Sequence, residues 1–362
     1  MSATLELLTV QNLWQQMLQK EVHIIDVRAP IEFNSGHIPF SVCLPILTDT
    51  ERADVGTTYK QQGNAKAVEL GHQIVQGDIK AERLKNWITE YQKDPVNTYL
   101  TCFRGGQRSG ITQRWLSENG VNLPRLKGGY KAMRQLMMEE LSSFCQTQKL
   151  LVLTGKSGAG KTQLLNSLKN KPVVDLEFLA KHRGSSFGKY NQPQPSQSDY
   201  ENTLSLQLNR WKHHSANSPV LVEDESRMIG SIVQPNEFFE LLRSSPVIYL
   251  DEPLEARIEN TLQEYVVAAS GNKDLFIDLQ VSLNKLKSKL GGLRHQELIA
   301  DLQAAHIAFV THKDFSASRK WIEKLLVWYY DPLYEKSFAK RNPKVLFKAS
   351  KSELLKTDLF AT

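Results

Sequence analysis

The chain has 362 residues, of which 41% are hydrophobic and 23% charged, a composition typical of soluble globular proteins and unlike that of disordered or collagen-like chains. This length predicts two or three domains of roughly 100–200 residues each. The formal net charge of +6, from 45 Lys and Arg against 39 Asp and Glu, favours a polyanionic partner without requiring one.

The cysteines and the hydropathy pattern argue against several classes of protein. Cys43, Cys102 and Cys145 are too few and too scattered for a disulfide framework, and none forms a C-x-x-C pair. No run of about 18 apolar residues occurs, and the N-terminus lacks the pattern of a secretory signal. We therefore expect a cytoplasmic protein that has no membrane association, structural zinc or iron–sulfur cluster.

The first part of the chain alternates strand and helix patterns. Short apolar runs at 22–28 and 97–103 predict strands, and apolar residues spaced by three and four at 64–93 predict one or two amphipathic helices. A further helix is predicted at 109–120, ending at Gly120, where a left-handed cap is expected. These elements indicate an α/β domain.

A second α/β pattern begins near Gln148. An apolar strand at 149–155 leads into a glycine-rich turn and a helix at 161–169. Segments with helical patterns separate further strands, which predicts a mostly parallel sheet. These further strands are predicted at 172–177, 219–225, 246–252 and 305–312. Residues 184–200, rich in Gly, Ser, Gln and Pro, predict a loop long enough to act as a lid.

The remainder of the chain has helical spacing and a basic end. Helical segments are predicted at 282–302, interrupted at Gly291-Gly292, and at 320–338. Residues 336–356 contain seven Lys or Arg against one acid, which indicates either a solvated tail or a nucleic-acid contact surface.

The predicted fold class is therefore α/β in three parts. Residues 1–145 are predicted to form a cysteine-loop domain, and residues 146–275 a domain with a parallel sheet and a phosphate-binding loop. Residues 276–362 are predicted to form a mainly helical, basic region that partly completes the second sheet and contacts nucleic acid.

The glycine-rich turn carries the strongest motif. Residues 155–162, GKSGAGKT, match G-x-x-x-x-G-K-[ST] between a strand and a helix, which is the context that a P-loop requires. Its glycines allow backbone N–H groups to converge on phosphate oxygens, Lys161 reaches the terminal phosphate, and Thr162 is expected to hold Mg²⁺. The motif does not determine which phosphate compound binds. The predicted phosphate-binding residues are Gly155, Ser157, Gly158, Gly160, Lys161 and Thr162.

An acidic residue that assists the metal is expected where a neighbouring strand ends. The candidates are Asp175, Glu223, Asp224 and Asp251, of which we favour Asp224. Two arginines, Arg183 and Arg227, are further candidates for contact with phosphate or with a departing negative charge.

A second loop is centred on a cysteine. Residues 102–109, CFRGGQRS, follow an apolar strand and precede a helix, so backbone N–H groups and the helix dipole favour the thiolate form of Cys102. We predict that Cys102 is a nucleophile in an anion cradle. The predicted cradle consists of Arg104, Gly105, Gly106 and Arg108. Cys43 and Cys145 have apolar or neutral neighbours, which favours inert packing for both.

Three separated motifs together resemble the rhodanese family. They are DVRAPIEFNSGHIPFSVCLP (26–45), the cysteine loop and LKGGYKAM (126–133). The resemblance implies that Asp26 and Arg28 are structural and that the cysteine carries a persulfide. Five residues separate Cys102 from Arg108, one more than in the sulfurtransferases, and this longer loop resembles rhodanese-like phosphatases. The larger cradle suits a tetrahedral oxyanion, and therefore a sulfur or selenium donor that bears phosphate.

The order of the two loops and several long segments resemble the tRNA 2-selenouridine synthase family over nearly the whole chain. The segments are ERADVGTTYKQQG (51–63), ELGHQ (69–73), DLEFLAKHRGSSFG (175–188), EDESRMIG (223–230) and YYDPLY (329–334).

The resemblance implies replacement of sulfur by selenium in wobble 2-thiouridine of tRNAs for Lys, Glu and Gln, with selenophosphate as donor. It also implies an S-geranyl intermediate made from geranyl diphosphate. Cys102 corresponds to the essential cysteine of the family and residues 155–162 to its Walker A loop. Some members have two adjacent cysteines where this chain has Thr101-Cys102, which argues against a mechanism that needs a vicinal thiol pair.

The same resemblance sets the expected partners. Besides tRNA, an enzyme that produces selenophosphate is an expected partner, Mg²⁺ is the expected ion, and no tightly bound organic cofactor is predicted. Basic residues of the C-terminal region are the predicted tRNA-binding surface. They are Lys285, Lys287, Lys289, Arg294, Lys340, Arg341 and Lys344.

Two other functions fit the same motifs. One is a rhodanese-type sulfurtransferase or phosphatase fused to a P-loop kinase that acts on small molecules, although such an enzyme has no need of the basic C-terminal region. The other is a non-catalytic persulfide carrier, which loads and unloads sulfur for a partner protein. Activity on thiolated tRNA discriminates between these alternatives and the tRNA-modifying enzyme.

Overall fold

The computed structural model describes residues 6–168, 171–182, 192–215 and 218–357. The chain divides into two compact units. Unit 1 comprises the residues up to Gln146 together with Pro195–His214, and unit 2 comprises Thr147–Gln194 together with the residues from Ser215 onward.

Unit 1 is built on a five-stranded sheet in which all strand pairs are parallel, in the order β1-β5-β4-β2-β3. The strands β1 to β5 are Leu7–Leu8, His23–Asp26, Ser41–Cys43, Thr98–Thr101 and Arg125–Leu126. Asp26 is in register with both Cys43 and Thr101, so three strands end at the same edge of the sheet. This edge carries the cysteine loop.

Helices cover both faces of this sheet. Helices α1 to α6 are Val10–Gln19, Pro30–Asn34, Asp49–Ile74, Gly77–Tyr91, Gln107–Glu118 and Gly129–Thr147. Because side chains alternate along a strand, Ile24 packs in one buried cluster with residues of α1 and α6, whereas Ile25 packs in another with residues of α4 and α5. The helices predicted within 64–93 and after Cys102 are confirmed, and Gly120 has the expected left-handed backbone, with φ 79°.

Unit 2 contains a second five-stranded parallel sheet, in the order β12-β11-β6-β8-β7, and a short antiparallel pair, β9 and β10. The strands β6 to β12 are Leu150–Thr154, Val173–Val174, Val220–Glu223, Met228–Ile229, Ile232–Val233, Val247–Leu250 and Val345–Ala349. The predicted α/β class with parallel sheets is thus confirmed. The basic end of the chain supplies edge strand β12.

One predicted strand, at 305–312, is wrong. These residues form the end of a 21-residue helix that continues to His312. Ala305 is buried, but Ile307 and Val310 are exposed on the helix surface, so tertiary packing of the other helix face overrides the strand preference of the β-branched residues.

Helices of unit 2 follow the strands and then form a separate layer near the C-terminus. The chain continues with helices α7 to α17, of which all but α9 belong to unit 2. They are Lys161–Ser167, Leu176–Ala180, Gln197–His214, Asn236–Ser244, Leu254–Leu262, Leu275–Asn284, Lys287–Leu290, Gly292–His312, Ser318–Leu325, Asp331–Arg341 and Lys351–Leu354. Two π-helical segments, Gln263–Val267 and Leu326–Tyr330, continue α11 and α15. Buried residues of both segments, such as Val266 and Tyr329, belong to one apolar cluster of this helical layer.

Helix α9 lies in unit 1, although the chain on either side of it belongs to unit 2. Asn202 donates a hydrogen bond from Nδ2 to the carbonyl oxygen of His37 at 2.7 Å, and Leu206 is buried in the cluster that contains Ile24. The long loop predicted at 184–200 is therefore wrong at its end, because the helix begins at Gln197. Residues 183–191 lie outside the described residues.

None of the helices in the described part of the chain combines the length and the apolar character that crossing a bilayer requires.

Candidate functional site

The first candidate site is the loop between β4 and α5, which holds Cys102. The Cys102 side chain is almost fully buried, and its sulfur lies 3.1 Å from the hydroxyl oxygen of Ser109 in the first turns of α5. The cysteine thus has a hydroxyl partner seven residues along the chain. A serine at this place can stabilise a thiolate by hydrogen bonding.

Close backbone packing fixes the shape of this loop. Gly105 has φ 61°, and a Cβ atom there would collide with the carbonyl oxygen of Leu126; a Cβ atom at Gly129 would collide with that of Cys102. The N–H group of Tyr130 donates to the carbonyl of Cys102 at 2.9 Å. The 126–133 motif therefore acts as the support of the cysteine loop.

The two predicted arginines of the cradle have different surroundings. Arg108 makes a bidentate ion pair with Glu32, with N–O distances of 2.5 and 3.0 Å. Burial opposes the charged form of Arg108, but the hydrogen bond and charge of Glu32 raise its pKa above the ordinary value. Burial likewise opposes ionisation of Glu32, but Arg108 and Arg52 lower its pKa. Arg104 is exposed and takes part in no ion pair of the described residues.

A buried ion pair between Arg28 and Asp26 contacts the backbone at Glu32. Arg28 and Asp26 are buried and 2.7 Å apart, and Arg28 also donates to the carbonyl oxygens of Glu32 and Gly36. The guanidinium carbon lies 4.2 Å from the centre of the Tyr130 ring. Asp26 and Arg28 thus tie β2, α2 and the start of α6 together, which fits the structural role that the resemblance implied.

A cavity of about 1040 Å³ opens beside Cys102. The cysteine loop lines one side of it, with Phe103, Arg104 and Arg108, and helix α3 lines the other from Arg52 to His72. The cradle therefore adjoins a space much larger than a phosphate group.

Cys43 has a different environment from that of Cys102. It ends β3, and its Sγ lies 3.7 Å from the carbonyl oxygen of Arg28. Burial, followed by the negative charge of Asp26, raises the pKa of the Cys43 thiol to about 11. Cys43 is therefore a thiol and a poor nucleophile near neutral pH.

The second candidate site is the P-loop between β6 and α7. Gly155, Gly158 and Gly160 have positive φ values of 157°, 78° and 83°. A Cβ atom at Gly158 would lie 2.6 Å from the carbonyl oxygen of Arg257, so no other residue fits there without a shift of the backbone. Lys161 Nζ lies 3.4 Å from the carbonyl oxygen of Gly155, across the mouth of the loop.

Side chains from later elements hold the P-loop. Arg257 on α11 donates to the carbonyl of Ser157 at 2.9 Å, and Asn260 donates to that of Gly158 at 2.9 Å. Asp331 at the start of α16 binds the same Arg257 guanidinium at 2.5 and 3.0 Å. Of these three residues, only Asp331 lies in a segment that the family resemblance picks out, YYDPLY (329–334). Nothing in the local sequence pattern indicates a role for Arg257 or Asn260.

Glu223, not the favoured Asp224, is the acid next to Thr162. The Thr162 hydroxyl donates to Glu223 Oε1 at 3.3 Å. Asp224 instead accepts hydrogen bonds from Thr154 and from Arg341, both at 2.6 Å. Successive side chains of a strand point to opposite faces, so only one of these two adjacent acids can face the P-loop helix.

Carboxylates crowd the P-loop on the side of Glu223. Burial, followed by the charges of Glu177, Asp175 and Glu225, raises the pKa of Glu223 well above its ordinary value. Burial and the charge of Glu177 also raise the pKa of Glu225 to about 8, whereas Lys161 acts in the opposite direction. Burial raises the pKa of Asp175 as well. A bound cation would relieve this repulsion.

The residues beside Lys161 fit Mg²⁺ held together with a phosphate ligand. Thr162 and Glu223 offer oxygen ligands, and Mg²⁺ takes one or two protein oxygens and completes its shell with water and phosphate oxygens. Across the described ranges, no group of three or more His, Cys, Asp and Glu side chains is arranged to hold a metal by itself. A phosphate ligand would have to complete the site.

A cavity of about 490 Å³ extends from the P-loop. One part of the lining carries the phosphate-binding residues and several acids, among them Glu223, Asp224 and Glu225. Another part is mainly hydrophobic and comes from α15, α16 and the two π-helical segments, with Thr261 and Glu264 as its polar neighbours. Its residues are Tyr265, Trp321, Ile322, Leu325, Leu326, Tyr330, Leu333 and Tyr334. π-Helical turns are rare and occur frequently at functional sites.

Two of the other predicted contacts, Arg227 and Asp251, are not brought to the P-loop. Arg227 hydrogen-bonds Asn236 and packs near the ring of Phe239, and it does not line the cavity. Asp251 follows β11 and pairs with Lys348 at 3.3 Å. Arg183 lies outside the described residues.

Of the basic residues predicted to contact tRNA, Arg341 is unsuited to that role. Its side chain is only 3% exposed, and it donates to Asp224 and to the carbonyls of Leu242 and Arg243. It therefore joins α16 to the sheet. The remaining six are exposed: Lys285, Lys287, Lys289, Arg294, Lys340 and Lys344. The guanidinium of Arg294 lies 5.6 Å from the centre of the Trp328 ring.

Two family models match the chain. A model described as a rhodanese-like domain matches residues 9–136, which confirms the fold expected for the N-terminal part. A model described as the tRNA 2-selenouridine synthase AAA domain matches residues 148–358, more than half of the chain.

Close relatives agree with these matches. A protein from Bdellovibrio bacteriovorus named tRNA 2-selenouridine synthase is 45% identical, covering 94% of this chain and 95% of its own length. Proteins of the same name from Nitrosomonas eutropha and Nitrosomonas europaea are 44% and 42% identical, and each alignment covers at least 90% of both chains.

The environment of Cys43 predicts its reactivity. With a pKa of about 11, roughly one Cys43 thiol in 3000 is ionised at pH 7.5, so iodoacetamide should leave it almost unmodified at that pH. Labelling should rise steeply as the pH approaches 11. Peptide mass spectrometry after timed alkylation measures this, with free glutathione as the reference thiol. Labelling of Cys43 at the glutathione rate at pH 7.5 would contradict the assignment.

Proposed function

The chain belongs to the tRNA 2-selenouridine synthase family, and on this premise we propose that it replaces the sulfur of 2-thiouridine in tRNA by selenium. The observation that carries the proposal is the presence of two anion-binding loops on two units, one with a buried cysteine and one with a cavity that has a hydrophobic wall beside the phosphate cradle. We assign one chemical step to each loop.

The P-loop ligand is proposed to be geranyl diphosphate. Lys161, Thr162 and the backbone N–H groups of the loop suit the diphosphate, and the wall formed by residues such as Trp321, Leu325 and Leu326 suits an isoprenoid chain. The aromatic side chains of this wall can stack on a nucleotide base, but its aliphatic side chains, such as Leu325 and Leu326, give a base or sugar no hydrogen-bond partner. The lining of the cavity therefore favours the prenyl compound.

In the first step the thiouridine sulfur attacks C1 of geranyl diphosphate. The new C–S bond forms as the C–O bond to diphosphate breaks, and the base loses its N3 proton. Lys161 and the backbone donors of the P-loop stabilise the departing negative charge. Mg²⁺ bound by Thr162 and Glu223 would supply further charge neutralisation.

Cys102 is proposed to act in the second step as a nucleophile towards the phosphorus of selenophosphate. Its sulfur forms an S–P bond as the P–Se bond breaks, which releases hydrogen selenide anion without any change of oxidation state. Attack at selenium would instead form an S–Se bond with reduction of the phosphorus to phosphite. Arg104 and the loop N–H groups bind the phosphoryl oxygens, and Ser109 stabilises the thiolate before attack and after release.

The released selenide then attacks C2 of the S-geranyl base. A C–Se bond forms, the C–S bond breaks, and geranylthiolate leaves and takes up a proton. Water hydrolyses the S–P bond and regenerates Cys102 with release of phosphate. Alkylation has a clear purpose in this scheme, because the thiouridine sulfur is a poor leaving group whereas the geranylthiolate can depart.

The exposed basic residues of the C-terminal region are the proposed tRNA surface. Lys285 directly follows α12, Lys287 and Lys289 lie on α13, and Arg294 lies on α14. A tRNA backbone would pair with such charges in a salt-dependent manner. The finer assignments rest on the family resemblance. They are wobble 2-thiouridine in tRNAs for Lys, Glu and Gln, supply of selenophosphate by a separate enzyme, and a cytoplasmic location.

The division of labour is tested with two variants. Lys161→Ala should lower S-geranylation of thiolated tRNA at least 100-fold, the order expected when a group that stabilises transition-state charge is lost, yet still convert tRNA that was geranylated beforehand. Cys102→Ala should accumulate the S-geranyl nucleoside and form no selenouridine. Nucleoside mass spectrometry after digestion measures all three species.

Matched controls exist for both variants. Lys273→Ala removes an exposed lysine of unit 2, and Cys43→Ala removes the cysteine that ends strand β3; both variants should retain both steps. If Lys161→Ala and Cys102→Ala lose both steps equally, the division of labour is wrong.

The adduct on Cys102 is a separate prediction. Protein mixed with selenophosphate in the absence of tRNA should carry a phosphoryl group on Cys102, and Ser109→Ala should prolong its lifetime because the leaving thiolate loses its hydrogen bond. Phosphoryl and selenium adducts have nearly the same mass, but only selenium gives a multi-isotope pattern and is removed by dithiothreitol. A reducible, selenium-bearing adduct would refute attack at phosphorus.

A further inference from the structure

The cavity beside Cys102 is far larger than its anion requires. A tetrahedral oxyanion displaces about three water molecules, roughly 90 Å³ at ~30 Å³ each, whereas the cavity has about 1040 Å³. Binding of selenophosphate in the cysteine loop would leave most of this space unfilled. The size of the cavity therefore indicates that part of a second, larger substrate also binds there.

The lining of the cavity combines charged and apolar surfaces. Arg104, Arg108 and Glu32 suit the phosphoryl group and its counter-charges. A larger part of the lining is aliphatic, and helix α3 adds a few polar side chains, among them Thr57, Lys60 and Asn64. The aliphatic side chains, which form the apolar wall, include Ile46, Leu47, Val55, Ala67, Val68 and Ile111. A ligand that matches the whole cavity therefore has both an anionic or polar group and a hydrocarbon part.

Helix α3 covers the cavity without filling it. Only Ala67 of its 26 residues is buried, which is unusual for a helix of this length in a packed domain. The helix is held at its start, where Glu51 pairs with Arg83 at 2.7 Å and Arg52 pairs with Glu32 at 2.9 Å. Gly63, with φ 83° and ψ 179°, interrupts it midway. The apolar residues on its inner side thus face space that a ligand can occupy.

We propose that this apolar wall binds the geranyl chain attached to the thiouridine sulfur. The inference rests on the proposed function, in which the S-geranyl base is the substrate of the selenium step. Binding of the chain along α3 would hold C2 of the base near the cysteine loop, where selenide is released. The protein then binds the geranyl group at two places: as geranyl diphosphate in unit 2, and as the S-geranyl thioether of the base in unit 1.

With this site, the rate of the selenium step depends on the length of the alkyl group on sulfur, and not only on the presence of a C–S bond that can break. An S-methyl base has the same C–S bond to break but lacks the chain that fills the wall. Each buried methylene contributes about fourfold to binding, so even partial burial of the roughly nine additional carbons favours the geranyl substrate by at least roughly 100-fold. An S-dimethylallyl base, with half the chain, should fall between the two.

The test compares three anticodon stem-loop RNAs that carry S-geranyl, S-dimethylallyl or S-methyl 2-thiouridine, each supplied with selenophosphate and the full-length protein. The kcat/KM for selenouridine formation should fall in that order. Val68→Trp, which fills the apolar wall, should reduce the geranyl preference over methyl to less than about fivefold. Ala65→Trp places the same ring on an exposed position of α3 outside the cavity, and should retain the preference.

The outcomes separate this site from the function on which it rests. Equal kcat/KM for the geranyl and methyl RNAs with wild-type protein overturns the chain site and leaves the two-step function intact. A geranyl preference that survives Val68→Trp also overturns it, because the base or sugar would then occupy the wall. Failure of wild-type protein to form selenouridine from the S-geranyl RNA overturns the proposed function itself. The wild-type comparison does not depend on whether Val68→Trp folds.

Discussion

Both anion-binding loops depend on backbone segments that approach each other more closely than any side chain allows. At Gly129 a Cβ atom would collide with the carbonyl of Cys102, and at Gly158 one would collide with the carbonyl of Arg257. These contacts hold each loop against a later part of the chain, so that its N–H groups are fixed before an anion binds. Preorganised donors of this kind stabilise developing charge without reorganisation during the reaction.

The charged side chains around the two loops differ between the two units. In unit 1 two of the arginines near the cysteine loop are neutralised: Arg108 pairs with Glu32, and Arg28 pairs with Asp26. In unit 2 the acids are in excess, since Glu223 and its acidic neighbours have raised pKa values beside Lys161. The first arrangement suits transfer of a phosphoryl group to sulfur, and the second suits a diphosphate that binds with a cation.

Local motifs predicted the two loops because strand, glycine turn and helix are adjacent in the chain. The sequence could not predict which distant residues support them, since Arg257 and Asn260 reach the P-loop only through the tertiary fold. The choice between Glu223 and Asp224 depended on which face of β8 meets Thr162, and a pattern of adjacent acids does not determine this. Helix α9 was missed as part of unit 1 because its partners, such as His37, are far away in sequence.

The central claim is that the two loops carry successive reactions on one tRNA base, and a mixing experiment tests it most directly. Lys161→Ala and Cys102→Ala proteins are combined with thiolated tRNA, geranyl diphosphate and selenophosphate, and 2-selenouridine is measured by nucleoside mass spectrometry. The Cys102→Ala protein alone should form none, and the Lys161→Ala protein alone at least 100-fold less than the wild-type protein. The mixture should form it readily, because one protein geranylates the tRNA that the other selenates. A mixture of folded variants that remains inactive on tRNA would contradict the account.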